Sequence, residues 1–167
     1  MSLRDATAAD LPAIDAIFRE SFVATFGHLY APADLATFLA RFTPQAWAAE
    51  FATAGYAFRI AEDAAGPFGY CKLGPLTLPA TPQGPALELR QLYLLDRGKG
   101  TGAAQALMDW AIDTARTRGA GELWLSVYID NHRAKRFYER YGFEDQGPYA
   151  FMVGEHADED RLMRLKL

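Results

Sequence analysis

The chain has 167 residues, of which 50% are hydrophobic, and a formal net charge of −4. One domain of this length buries a proper core, whereas two would each have a thin one. A single domain over residues 1–167 is therefore predicted. Proteins that bind nucleic acid through its phosphates usually carry a basic surface, so the acidic balance disfavours nucleic acid as a partner. The mild excess of acid is compatible with a cationic small substrate.

The sequence contains one cysteine, Cys71, which excludes an intramolecular disulfide and a cysteine-based metal site. The three histidines lie far apart and lack the spacing of metal ligands, so no metal is expected. No apolar run is long enough to span a bilayer, and the first residues lack the layout of a signal peptide. A cytoplasmic protein without a membrane partner is the expectation. The histidines are His28, His132 and His156.

The first half of the chain is predicted to form a strand, three helices and a hairpin. Apolar residues recur at helical spacing after residue 8. Pro32 and Pro44 stand where a helix tolerates proline, in its first turn. The pattern predicts a strand at 3–6, helices at 8–25, 32–41 and 44–54, and strands at 56–62 and 68–73.

The second half alternates strands and helices. Strands are predicted at 86–95, 122–128, 143–153 and 161–167, helices at 103–117 and 132–141, and an acidic loop at 155–160. In the strand at 86–95, period-two alternation places Glu88, Arg90, Leu92 and Leu94 on one face. This order of elements indicates a mixed α/β sandwich.

A glycine-rich turn between the strand at 86–95 and the following helix carries the strongest functional signal. Gly98, Gly100 and Gly102 stand in it, and glycine lets the backbone approach a phosphate without a Cβ in the way. The N–H groups of such a turn and the helix dipole form an anion site. The P-loop pattern is absent, and the dinucleotide fingerprint is met only loosely. The turn is either an anion site or a plain structural turn.

This region resembles the acetyl-CoA signature of the GCN5-related N-acetyltransferase family, Gln/Arg-x-x-Gly-x-Gly/Ala between a strand and a helix. Two registers fit. One begins at Arg97 and matches the letters best, with Gly100 and Gly102 as its glycines. The other begins at Lys99, ends at Ala104 and aligns strand and helix without a gap, at the cost of lysine in the Gln/Arg position. The second register is preferred.

A second segment of the chain resembles another signature of the family. This segment is Asn131-x-x-Ala134-x-x-Phe137-Tyr138-x-x-x-Gly142-Phe143. Two similarities in order, with a strand between them, are more specific than either alone, and together they cover residues 86–143. A diffuse similarity to bacterial spermidine/spermine N-acetyltransferases extends through residues 20–39, Gly154 and residues 160–163. It favours a polyamine acceptor without establishing one.

The family resemblance implies a central mixed, mostly antiparallel sheet with helices on both faces. It also implies direct transfer of an acetyl group from acetyl-CoA, as cosubstrate, to a primary amine. Asn131 would face the pantetheine arm where the two central strands splay apart, or serve as an N-cap, and the two roles are compatible. The other implied coenzyme contacts are the main chain of Leu92, Tyr93 and Leu94, and the amides of Lys99, Gly100, Thr101, Gly102, Ala103 and Ala104.

The resemblance also implies two catalytic side chains. Tyr138 aligns with the family tyrosine near the thioester sulfur, where a phenol can protonate the departing thiolate. Its alternative role is that of a core aromatic on a helical stripe. Glu88 stands six residues before Leu94, where a number of family members carry a catalytic base. Alternatively, Glu88 forms a cross-strand salt bridge, and ordered water acts as the base.

Two other functions share the same coenzyme residues. One is a peptide N-terminal acetyltransferase, and the other is a domain that binds acyl-CoA without catalysis. The N-terminal helices and the acidic segment at 155–160 would shape the acceptor pocket and so distinguish these functions. The sequence determines neither the acceptor amine nor the oligomeric state, and a homodimer is compatible with it.

Overall fold

A computed structural model describes all residues, Met1–Leu167, and contains one seven-stranded sheet. The strands lie in the order β1-β2-β3-β4-β5-β7-β6, and every neighbouring pair is antiparallel except β4–β5. The prediction of a mixed, mostly antiparallel sheet is confirmed. The strands are β1 (Ser2–Asp5), β2 (Ala57–Asp63), β3 (Gly66–Pro75), β4 (Ala86–Leu94), β5 (Glu122–Tyr128), β6 (Glu144–Val153) and β7 (His156–Lys166).

Helices cover both faces of the sheet, as predicted, and each face has its own core. The first face packs under α1–α3, with Ile14, Phe18 and Trp47 among its buried residues. The second packs under α4 and α5, with Leu107 and Leu125 in its centre. No helix is both long and apolar enough to cross a membrane. The helices are α1 (Leu11–Phe26), α2 (Pro32–Leu39), α3 (Pro44–Ala52), α4 (Ala103–Thr117) and α5 (His132–Arg140).

A bulge in β4 overturns the predicted alternation of that strand. Lys72 of β3 pairs with Gln91, and the next residue, Leu73, pairs with Leu89, so Arg90 is an extra residue. A bulge shifts the side chains beyond it to the opposite face. The leucines on both sides of the bulge therefore pack against one core, that of α4 and α5, while Glu88 lies on the other face. These leucines are Leu87, Leu89, Leu92 and Leu94.

The parallel pair β4–β5 is short. The two strands pair only from Ala86 with Glu122 to Glu88 with Trp124. Beyond Glu88 they diverge, and β4 keeps hydrogen-bonded pairing only with β3. This divergence opens a gap in the middle of the sheet, beside the glycine-rich turn.

The acidic segment at 155–160 is a strand and not the predicted loop. A tight turn at Gly154 and Glu155 joins β6 to β7, and β7 already begins at His156. Pairing with both β5 and β6 fixes the segment as a strand despite its charge. As a result Asp158 and Asp160 are buried, each 5% exposed, whereas Glu159 between them faces out.

Gly154 should be sensitive to substitution because its turn touches α2. Its φ is +59°, and a Cβ there would lie 2.7 Å from the Cα of Asp34. Gly154→Ala should lower the free energy of unfolding by about 1–3 kcal/mol from overpacking, beyond the cost of its left-handed backbone. The matched control is Gly119→Ala, with φ +79° and no atom within 4 Å of the Cβ. Thermal melting of both variants checks this, and equal melting temperatures would contradict it.

Candidate active site

The glycine-rich turn has the backbone that an anion site requires. A short 3-10 turn, Asp96–Gly98, follows β4, and α4 begins at Ala103. Gly100 and Gly102 have φ of +78° and +85°, values that favour glycine, although nothing lies within 4 Å of a Cβ at either position. Their requirement for glycine is therefore conformational. Gly98 differs, because a Cβ there would lie 2.5 Å from the ring of Phe68.

The turn presents a set of N–H groups without protein acceptors. The first backbone hydrogen bond of α4 runs from the Ala106 N–H to the Gly102 carbonyl. The N–H groups before it at the start of α4 have no such partner, as at the N-terminus of any helix. An anion bound here would receive these hydrogen bonds and the favourable end of the helix dipole. The N–H groups without a protein acceptor belong to Gly100, Thr101, Gly102, Ala104 and Gln105.

Four of the six predicted turn residues line one large groove, and two do not. Thr101 and Ala103 turn away, since the Thr101 hydroxyl donates to the Gly98 carbonyl at 2.8 Å and Ala103 is fully buried. The Thr101 hydroxyl also accepts the Ala103 N–H at 3.3 Å. The helix begins directly after Gly102, and the choice of the register beginning at Lys99 stays a prediction. The residues in the groove are Lys99, Gly100, Gly102 and Ala104.

The groove has a volume of about 990 Å³ and follows the gap between β4 and β5. Leu92, Tyr93 and Leu94, the strand residues predicted to contact the coenzyme, all line it. Their edge toward β5 has no partner strand, so its N–H and C=O groups are available to a ligand that lies along the strand. A long, anionic molecule with an extended polar arm fits this arrangement.

Asn131 has the N-cap role that was expected, and its contact with the coenzyme stays a prediction. It is the N-cap of α5, and its Oδ1 accepts the Ala134 N–H at 3.2 Å. It also lines the groove opposite the free edge of β4. The side-chain amide nitrogen donates to no protein group and is available to a ligand.

Tyr138 reaches the groove from the opposite side of the sheet. Its ring packs edge-on against Phe137 and Phe143, with ring centroids 5.5 Å and 5.7 Å apart. Burial raises the pKa of the Tyr138 hydroxyl, and the nearby Cys71 thiol adds to this rise. The phenol is therefore protonated at neutral pH. It lines the groove and makes no protein hydrogen bond, which leaves its proton available to a bound molecule.

Glu88 lies at the point where β4 and β5 part, 7% exposed, on the lining of the groove. Its Oε2 accepts the N–H and hydroxyl of Thr77, at 2.8 and 3.1 Å, and the Leu78 N–H at 3.3 Å. Arg90 approaches the same oxygen at 3.5 Å. These contacts tie β4 to the loop before it and leave Oε1 for a substrate or water. The catalytic role of Glu88 stays a prediction.

Two buried carboxylates on β7 are functional candidates, although the sequence predicted them only as part of an acidic loop that shapes the acceptor pocket. Asp158 accepts a hydrogen bond from the Tyr30 hydroxyl and lies 3.1 Å from Nε2 of His156. Asp160 is equally buried, with the Ser126 hydroxyl beside it. Burial raises the pKa of Asp160 to about 7, and the neighbouring charge of Asp158 contributes. The spacing of Asp158 and Asp160 on either side of exposed Glu159 is the sequence signal that could have indicated a strand with both aspartates on its buried face.

On the opposite wall, charged side chains neutralise one another. Lys72 is 3% exposed and its Nζ lies 2.6 Å from Glu50. The same ammonium lies over the ring of Trp47, 4.8 Å from the centroid. Burial lowers the pKa of Lys72, and Glu50 opposes that shift. Two acid–base pairs, Lys72–Glu50 and Arg90–Glu88, thus line this wall, whereas the aspartates of β7 have neither arginine nor lysine as a partner.

The fold and the groove together define an acyl-coenzyme-A-binding domain of the acetyltransferase type. Residues 11–143 match the model of the acetyltransferase (GNAT) family. The chain therefore belongs to this family. A coenzyme A complex of the PaiA N-acetyltransferase of Thermoplasma acidophilum has the same fold, with a TM-score of 0.78, 18% identity and full coverage of both chains.

Proteins with similar sequences are also named as acetyltransferases. The chain is 31% identical over 162 residues to an uncharacterized N-acetyltransferase of Lactobacillus delbrueckii, covering 95% of this chain and 92% of the relative. It is 32% identical over 148 residues to the L-methionine sulfoximine/L-methionine sulfone acetyltransferase of Pseudomonas aeruginosa, covering 87% and 81%. An uncharacterized N-acetyltransferase of Mycobacterium tuberculosis is 46% identical over 77 residues, 46% of this chain, and the chain spans about half, 49%, of its length.

The N–H groups of the glycine-rich turn predict that acetyl-CoA stabilises the fold. Acetyl-CoA at a hundred times its Kd should raise the free energy of unfolding by about 2.7 kcal/mol. This corresponds to a rise of roughly 5–11 °C in melting temperature. Gly102→Asp places a carboxylate at the anion site and should abolish the gain. Gly119→Asp, at the other end of α4 with a similar φ and equal space, should retain it. An unchanged melting temperature of the wild type at saturating acetyl-CoA would disprove the site.

Proposed function

We propose that the chain transfers an acetyl group directly from acetyl-CoA to a primary amine in a ternary complex. One observation carries this proposal. The gap between β4 and β5 brings a free strand edge, an anion-binding turn and an unpartnered phenol to a single groove. The turn suits the pyrophosphate, the strand edge suits the amide-bearing arm, and Tyr138 then lies where the thioester ends. Family membership supports the same reaction.

Tyr138 would act as the general acid. Acetyl transfer expels the coenzyme as a thiolate, and a positioned phenol that keeps its proton at neutral pH can protonate the sulfur. The groove walls around Tyr138 consist largely of aromatic and aliphatic side chains, so charge that develops on sulfur meets few competing dipoles. The protein contribution is therefore greatest in the transition state.

The preferred acceptor would be a cationic amine such as a polyamine. The acceptor side of the groove is formed by α1, the connection before α2, and strands β5–β7. It carries Asp158 and Asp160 without a basic residue other than His156, together with the rings of Tyr30 and Tyr128. Carboxylates and aromatic faces both attract alkylammonium groups.

An amino acid acceptor is the second candidate, because a relative that covers most of the chain is named as an acetyltransferase of L-methionine sulfoximine and L-methionine sulfone. An α-carboxylate would need a cation. Lys72 and Arg90 line the groove but are both paired with acids, whereas Arg41 lines it without an ion pair and could receive a carboxylate. The buried carboxylates Asp158 and Asp160 are therefore the observation that favours the polyamine class.

An acceptor panel tests the two classes. Purified protein with acetyl-CoA should release free coenzyme faster with spermidine or spermine than with L-methionine sulfone, glutamate or a short peptide. The preference should weaken as salt rises, since charge attraction is screened. Higher kcat/KM for the sulfone than for every polyamine would favour the amino acid class. Acetyl-CoA binding without release of coenzyme on any amine would indicate a non-catalytic binding module.

The role of Tyr138 predicts a selective loss of turnover. Tyr138→Phe keeps the ring and its packing against Phe137 but removes the proton donor. We expect kcat to fall about 10²–10⁴-fold, with the Kd for acetyl-CoA unchanged. The matched control is Tyr141→Phe at the C-cap of the same helix, whose hydroxyl donates to Asp109 at 2.8 Å outside the groove, and it should keep turnover. Wild-type kcat in Tyr138→Phe would exclude a catalytic hydroxyl.

A further inference from the structure

Asp160 occupies the middle of a cross-strand row at the acceptor end of the groove. It pairs directly with Tyr128 of β5 on one side and with Tyr149 of β6 on the other. Residues directly opposite in antiparallel strands share a face, with Cβ atoms about 5 Å apart. All three side chains line the groove. The carboxylate therefore lies on the floor of the groove between two aromatic rings.

Asp160 is the one carboxylate of the groove that has no basic partner, since Glu50 is paired with Lys72. Asp158 receives the Tyr30 hydroxyl and lies 3.1 Å from His156, and Glu88 receives three donors. Asp160 is 5% exposed, contacts no arginine or lysine and has only the Ser126 hydroxyl beside it. A carboxylate buried to this degree without a cation is costly unless a ligand or a proton compensates it.

The position of Asp160 relative to Tyr138 fits a proton acceptor. Both groups lie close enough to Tyr93 to raise the pKa of its hydroxyl, after burial, which is the main cause. Tyr93 is on β4 at the free strand edge. Tyr138 and Asp160 thus approach Tyr93 from different elements, α5 and β7, at the gap in the sheet. An acyl group held along β4 would lie between a proton donor and a proton acceptor.

We propose that Asp160 takes the proton that an acceptor ammonium must lose before it can attack the thioester, an inference that rests on the amine acetyltransferase function proposed above. One ammonium proton passes to Asp160, and the freed lone pair attacks the thioester carbonyl carbon. The N–C bond forms, the C–S bond breaks, and its electron pair leaves on sulfur. Tyr138 protonates the sulfur and regains a proton from nitrogen. The remaining hydrogen stays on the amide, and Asp160 releases its proton to solvent.

The titration of Asp160 agrees with this role. Its pKa of about 7 gives a base that is half deprotonated near neutral pH and strong enough to share a proton with an ammonium. The groups that face it are Asp158 on its own strand and the tyrosines of the neighbouring elements, with His156 behind Asp158. The tyrosines are Tyr30, Tyr93, Tyr128 and Tyr149.

The decisive measurement is the pH dependence of kcat/KM for spermidine in Asp160→Asn. We expect kcat/KM of the wild type to rise up to about pH 7 and then to level off, since the enzyme itself deprotonates the substrate. Asp160→Asn should be about 10²–10⁴-fold slower at neutral pH. Its kcat/KM should climb about tenfold per pH unit toward the amine pKa of about 10, because it can use only the free amine. A residue that merely supports the pocket would not change this slope.

The matched control is Glu159→Gln, which removes the same charge from the next residue of β7. Glu159 is exposed and faces away from the groove. This variant should keep the wild-type rate and plateau. Glu88→Gln, measured in parallel, compares the two candidate bases directly.

A stability measurement shows whether Asp160→Asn folds. The pKa of Asp160 is higher in the folded protein, about 7, than its ordinary value of 3.8, so the folded state holds this proton more tightly. The associated stability is complete below about pH 4 and is lost as the pH rises through about 7. Without ligand, Asp160→Asn should therefore melt several degrees higher than the wild type at about pH 8 and nearly equal to it at about pH 4. The melting-temperature gain from acetyl-CoA should persist.

Three results would overturn the proposal. Asp160→Asn could keep the wild-type rate and plateau, or it could raise KM for spermidine with the plateau intact, which would make Asp160 an anchor and not a base. The steep pH slope could instead appear in Glu88→Gln alone. A wild type that acetylates no amine would overturn the proposed function itself, before any variant is measured.

Discussion

The short pairing between β4 and β5 is the constraint on which the site depends. Three residue pairs join the two strands. Beyond Glu88, no hydrogen bonds connect β4 to β5 in the centre of the sheet. The loss is tolerated because the other neighbouring pairs in the sheet are antiparallel and because β3 still holds the full length of β4. The opened edge offers main-chain donors and acceptors inside the protein, where an unpaired polar group is unfavourable. A ligand that lies along this edge therefore finds main-chain hydrogen-bond partners already in place.

The gap also joins two separate cores. Tyr138 packs against the core under α4 and α5, and the aromatic side of the groove, where the acceptor would bind, belongs to the core under α1–α3. In an unbroken sheet these layers would not meet. Here Tyr93, on the face of α1, lies near the hydroxyl of Tyr138 from the opposite face. The coenzyme arm along β4 would therefore separate a layer that supplies its proton donor from a layer that receives the amine.

The parts of the site that the sequence predicted are those with local causes. Gly100 and Gly102 need positive φ, Asn131 caps its own helix, and α4 begins directly after the turn. Each signal lies within a few residues of the structure it produces. The bulge at Arg90 depends on the register with β3, which no spacing within β4 reveals. Asp158 and Asp160 look like loop residues because charge disfavours a buried strand, and only the pairing of β7 with both neighbours overrides that preference.

The same departures from local preference mark the places where stability and activity conflict. The turn of α4 leaves several N–H groups without acceptors, and β7 buries a carboxylate without a basic partner. The buried carboxylate is unfavourable in the free protein, whereas the N–H groups of the turn are open to water, and the two sites have opposite polarity. One site is a set of donors at the end of the groove near α4, and the other is an acceptor at the end near β7. An anionic coenzyme at the first site would satisfy the free N–H groups, and a cationic amine at the second would compensate the carboxylate. Under the proposed function, the groove would therefore be complementary to both substrates at once, which favours a ternary complex over sequential transfer through the protein.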